Sequence, residues 1–329
     1  MSATSLPTGL PGGLPSGVPG RLPLGFPGGG PPSGLPPGAE TPLPDVLPPV
    51  RQRGRAMNFI VRHPTIVAGG TLVGIMLFIA MFAPWLGTTD PTALAPAKRL
   101  RPPSEIYWFG TDMLGRDIYS RVIYGTRVSL LVGFSVALCT AVVGAFIGCV
   151  SGFIRALDAV LMRVMDGLMS IPPLLLAIAL MALTRASVQN VIVAITVAEF
   201  PRVSRLVRGI VLSLREQPYV EAAIASGTRL PMVIWRHILP NTLAPLMVNA
   251  TFICASAMIT EAILSFIGAG TPPIIPSWGN IMAEGRALWQ VKFYIVLFPA
   301  IFLSLTVLAV NMLGDGLRDA LDPRLAKRL

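Results

Sequence analysis

The chain has 329 residues, of which 53% are hydrophobic and only 13% charged, about half the charged share usual for a soluble domain. A mean hydropathy of +0.68 excludes an ordinary soluble globule, and the length leaves no room for a soluble catalytic domain beside a membrane domain. The net charge of +10 does not mark a nucleic-acid binder, because the basic residues flank apolar runs, where anionic headgroups and membrane topology account for them.

Residues 1–50 are dominated by Pro and Gly, as in LPTGLPGGLPSGVPG. Such a segment cannot bury enough apolar surface to offset its ordering entropy and reads as a disordered tail. It has no continuous apolar run, so it is not a secretory signal. Arg51, Arg53, Arg55 and Arg62 then precede an uncharged run over 65–89. That run suits a first membrane-spanning helix, which needs about 20 residues, and the basic cluster assigns the N-terminus to the cytoplasm. Residues 51–127 thus hold the first span and a polar, turn-rich outer loop.

A five-helix core is expected over 128–320. The second span covers 128–154, and Gly144, Gly148 and Gly152 give it a groove for close packing of another helix. The third lies within 158–184, where Pro172-Pro173 either kinks the helix or breaks it and turns carbonyls toward a water-filled path. The fourth begins near Val188 and soon meets Glu199, Pro201 and Arg202, so Glu199 has to face the bundle interior. The fifth covers 241–267 and carries Glu261, and the sixth covers 294–313. A short tail, 321–329, closes the chain.

Six spans put both termini inside, together with most of the 26 Lys and Arg residues. Lys98, Arg99, Arg101, Arg116, Arg121 and Arg127 run against that bias in the first outer loop. Glu105, Asp112 and Asp117 are the acids at hand to pair with them. Cys139, Cys149 and Cys254 sit in apolar runs without metal-ligand spacing.

Residues 204–241 are too polar to cross a membrane and too patterned for a random loop. Pro218 suits the first turn of a helix, which runs over 219–226 with Glu221 near its positive end, and Gly227 suits a left-handed cap. Pro231 opens a second short helix over 232–238, and Pro240 stops it. The result is a small rigid protrusion suited to another protein's groove.

Here the sequence resembles a known family. Glu221-Ala222-Ala223, then Gly227, then Leu239-Pro240 resembles the EAA loop of ABC importer permeases, although His237 occupies a position where the family has Ile. FGTDMLGRDIYSRVIYGTRVSLLVG (109–133), LSFIGAG (264–270) followed by SWG (277–279), and GDGLRDALDPR (314–324) are similar to the C-type subunits of dipeptide, oligopeptide and nickel importers.

The resemblance implies an all-α, six-span, type I (MetI-like) permease core that moves di- or oligopeptides into a bacterial cell by alternating access. Glu221, Ala222, Ala223, Gly227, Leu239 and Pro240 would then form the coupling helix and its base. It implies a B-type sister permease, two ATP-binding subunits or one fused ATPase, and an extracytoplasmic peptide-binding protein, with ATP and Mg held by those ATPase partners. No GxxxxGK[ST] occurs here, and this chain has no cofactor, metal or catalytic residue of its own.

Glu199, Glu261, Pro172 and Pro173 are candidates for the translocation path. Asp112, Arg116 and Asp117 are candidates for touching the binding protein, unless they pair among themselves in an outer cap. The alternatives are a permease for nickel or another small solute, or a secondary transporter. The latter would need mid-membrane coupling-ion residues or internal repeats.

Overall fold

The computed structural model describes residues 63–321. The expected N-terminal tail, its basic cluster and the residues after Leu321 lie outside the described residues.

Helix α1 (Pro64–Phe82) opens on a proline in its first turn, where the missing N–H costs nothing. Helix α2 (Ile118–Phe153) has 36 residues, about 54 Å of rod. It begins ten residues earlier than its apolar run, because the Asp117 carboxylate caps it by accepting from the Ser120 amide at 2.9 Å. Helices α3 (Arg155–Met169) and α4 (Pro173–Ala182) meet at 86°. The third span is therefore broken rather than kinked, since two successive prolines remove two helical donors and disfavour helical geometry before them.

Helix α5 (Val188–Arg215) runs through Pro201. Beyond it lie α6 (Pro218–Ala225) and α7 (Leu230–Val233), then a π-turn (Ile234–Ile238). The turn leads directly into α8 (Leu239–Phe266), and α9 (Trp278–Gly285) and α10 (Tyr294–Leu321) complete the chain. The expected second short helix is thus the foot of the fifth span. Pro240 does not end it; Pro240 lies in the first turn of α8.

Among the described residues, four helical rods are long and apolar enough to cross a membrane: Pro64–Trp85, Ile118–Phe153, Leu230–Phe266 and Tyr294–Leu321. The α3/α4 pair makes a fifth if counted as one bent span. The charges of α5 keep it out of that count, but its packing makes it part of the bundle. A Cβ added at Gly144 or Gly148 would lie 2.6 Å from Val203 or Val207, and one at Gly152 would lie 2.7 Å from Val211. Each glycine of α2 thus receives one valine of α5 in a parallel register, so the stripe is a close-packing groove. Val132, Val136, Val203, Val207, Val211, Ala257 and Met258 are buried in the main core. A second core, with Trp278, Ile281 and Ile295, lies under the loop that precedes α2.

Candidate functional site

Helix α6 has eight residues, too few to persist in isolation, so its surroundings must hold it. Val220 and Val233 are fully buried and tie the turn to the core. Asn241 Nδ2 donates to the His237 carbonyl at 2.6 Å and reaches the Tyr219 hydroxyl at 3.4 Å. The Tyr219 and His237 rings lie 6.3 Å apart, so His237 packs at the base of the protrusion.

Gly227 has φ +78. Its amide donates to the Ile224 carbonyl at 2.9 Å and the Thr228 amide donates to Ala223 at 3.1 Å, the paired bonds of a Schellman ending. A Cβ on Gly227 would meet nothing within 4 Å. Glycine is therefore favoured there by the left-handed backbone and not by crowding. Glu221, Ala222, Ile224 and Gly227 are exposed, as is Pro240, while Ala223 and Leu239 are half-buried. Tyr219 and Ile224 add apolar surface beside them.

The neighbouring charges are spent on bracing. Arg208 makes two bonds to Asp158, at 2.5 and 2.7 Å, and Arg205 pairs with Asp166. Together they fix α3 to the C-terminal half of α5. Sequence reasoning did not pair these acids with these arginines; opposite charges on the two segments were the available signal.

Glu199 lies about 17 Å along α5. It is buried and reaches Arg202 at 3.4 Å, and the Arg202 side chain is 62% exposed. Pro172 is exposed at the α3/α4 bend and Pro173 opens α4. Glu261 belongs to a different, fully buried network: Oε1 accepts from Ser265 Oγ at 2.8 Å, Thr271 Oγ1 lies 3.2 Å from Ser265 Oγ, and Asn280 Nδ2 donates to Thr271 Oγ1 at 2.9 Å. Glu261 therefore fastens the loop after α8 to α9, and its contacts do not include Glu199.

Asp112 and Arg116, candidates either for touching a delivery protein or for pairing among themselves in a cap, are buried in an internal ion cluster. Asp112 Oδ2 accepts from Arg116 and Arg121 at 2.7 Å each, and Glu284 Oε2 accepts from the same two guanidiniums at 2.5 Å. Two acids balance two bases, which accounts for two of the six cations that run against the charge bias. Arg127 accounts for a further part by donating to the Ala80 and Met81 carbonyls at the end of α1. Asp117 serves as the α2 cap described above. Glu284 was not singled out from sequence, and Trp278, whose indole N–H donates to the Val122 carbonyl at 3.1 Å, was noted there only as part of the SWG motif. Among the described residues, no cluster of three or more metal-ligating side chains occurs.

A bundle of helices long and apolar enough to cross a membrane, with one short helix held off its face, is the architecture of a membrane transport component. Residues 141–327 match the model of the binding-protein-dependent transport system inner membrane component family, and the chain belongs to that family.

Its relatives include a probable peptide ABC transporter permease of Sinorhizobium fredii, 53% identical over 267 residues, covering 81% of this chain and 91% of the relative. The dipeptide transport system permease DppC of Alkalihalophilus pseudofirmus is 38% identical over 292 residues, covering 87% and 96%. The oligopeptide transport system permease OppC of Bacillus subtilis is 36% identical over 262 residues, covering 79% and 86%. The chain is thus a multi-pass inner-membrane component.

Proposed function

We propose that this chain is the permease subunit of an ABC importer for di- or oligopeptides. It works with a different, B-type permease, with two ATP-binding subunits or one fused ATPase that hold ATP and Mg, and with an extracytoplasmic peptide-binding protein. Both termini and α6 lie in the cytoplasm. The observation that carries the reading is α6 itself: a short helix with a fixed Schellman end, anchored through Val220 and presenting Glu221, Ala222 and Ile224 outward. The relatives named as peptide permeases supply the cargo class. Glu199, Pro172 and Pro173 belong to the face that lines the path, because a buried acid and a broken helix are tolerated within a membrane only beside protein or water.

The reading is tested with Ala222→Cys in a background lacking Cys139, the exposed native thiol. A membrane-impermeant maleimide should label the variant in inverted vesicles and not in whole cells. Co-expressed ATPase subunits should protect the thiol, and labelled dipeptide should accumulate only when those subunits are present. Labelling from outside, or uptake without any ATPase, overturns the assignment.

A further inference from the structure

A cavity of about 540 Å³ lies between α5, α8 and the end of α10, on the membrane side from which α6 protrudes. Its walls are Leu206, Ala244, Val248, Phe252 and Leu321, and its polar lining includes Asn249 and Arg318. Arg318 is in the last turn of α10, so it sits where an interfacial cation belongs. It is exposed and forms no hydrogen bond or ion pair among the described residues, whereas Arg116, Arg121, Arg205 and Arg208 are all paired. Asn249 is half-buried, and its amide has no hydrogen-bond partner among the described residues on the otherwise apolar stretch around it. An unsatisfied amide and an unpaired guanidinium on one rim, above walls of aliphatic and aromatic carbon, match an amphiphile with an anionic head.

We propose that this cavity binds an anionic phospholipid, with Arg318 and Asn249 on the phosphate and the acyl chains against Leu206, Val248 and Phe252. Basic pockets between membrane helices near the cytoplasmic surface are suited to such headgroups because the low-dielectric walls strengthen the cation's field while the bilayer supplies the ligand. A peptide carboxylate has the same oxyanion chemistry. The lipid is favoured because the walls are apolar and the cavity lies at the end of a membrane helix. The proposal requires only that the chain is a membrane protein, so it can fail while the importer reading stands, and the converse also holds.

The full-length chain, purified in detergent, is titrated with phosphatidylglycerol and with phosphatidylcholine, and bound lipid is counted by native mass spectrometry. The wild type should hold phosphatidylglycerol more tightly. Arg318→Gln should lower that preference about fivefold, the effect of one interfacial cation. Val248→Trp, which fills the cavity, should remove the site for both lipids, and Arg236→Gln, a basic residue on the same face outside the cavity, should leave the preference intact. Equal retention of both lipids by the wild type overturns the proposal, as does an unchanged preference in Arg318→Gln or an equal loss in Arg236→Gln. Displacement of the lipid by a dipeptide, but not by its C-terminal amide, would assign the cavity to cargo instead.

Discussion

Replacing Asp112 with Asn changes little in shape and removes one negative charge from a cluster of four. Arg116 and Arg121 would then share a single carboxylate, Glu284, which is 24% exposed, while the Arg121 side chain is 1% exposed. Leaving a buried charge uncompensated costs about 3–5 kcal/mol, and solvent at the Glu284 edge brings the expected loss toward the lower figure. Adding Arg116→Gln restores neutrality. The double variant should therefore be more stable than Asp112→Asn alone, with a coupling of about 1–3 kcal/mol in the cycle. Cys149 and Cys254 are 5% and 2% exposed, so a thiol-reactive dye reports thermal unfolding in detergent against the baseline set by exposed Cys139. An unfolding midpoint of Asp112→Asn equal to wild type, or strictly additive effects in the double variant, would refute the view of this cluster as a balanced internal clamp.

Gly148→Ala brings a Cβ to 2.8 Å from the Ser204 carbonyl oxygen and 2.6 Å from Val207 Cβ. Overpacking of about 1–3 kcal/mol should outweigh the gain of about 1 kcal/mol in helix propensity, and the same dye assay should show a lower midpoint. At Gly227 the cost is confined to the backbone. Gly227→Ala should lose about 1–2 kcal/mol of local stability and Gly227→Asn less, with recovery of co-purified ATPase following that order rather than side-chain size.

The turn around Gly227 and the start of α6 at Pro218 were legible because both are local: a left-handed glycine and a first-turn proline act within one helical turn. Pro240 was misread for the same kind of reason. A proline costs nothing in a first turn, so it ends one helix or begins the next with equal ease, and only the π-turn at Ile234–Ile238 joins the two sides here. The start of α2 was placed too late because Arg121 and Arg127 look hostile to a span. Besides Asp112, nine positions before Arg121, their partners Glu284 and the end of α1 are 163 and 46 or more positions away, beyond the reach of any local pattern. Similarly, α5 outruns its expected end because Arg205 and Arg208 are neutralised by Asp166 and Asp158.

If α6 is the docking point proposed above, the continuity of Leu230–Phe266, 37 residues in one rod and about 55 Å long, sets how a force applied there would be delivered. The rod starts five residues after α6 ends. Near its far end, Glu261 and Ser265 hold the loop after α8, which Asn280 of α9 grips through Thr271 and the Pro272 and Ile275 carbonyls. A Cβ on Gly279 would lie 2.7 Å from the Ala262 Cα, so α9 rests directly on the rod. Movement of α6 should then reach the outer cap through α8, with Glu261 as the tie. Glu261→Leu deletes the carboxylate that accepts from the Ser265 hydroxyl, while α6, about 60 Å of chain away along the helices, keeps its contacts. Reconstituted with its partners, this variant should recruit ATPase normally and hydrolyse ATP, but peptide uptake per ATP should fall several-fold. A proportional fall in hydrolysis and uptake, or loss of ATPase recruitment, would show that Glu261 matters for folding rather than for transmission. Unchanged coupling would mean that the force leaves α6 through α5, whose valines sit in the glycine groove of α2.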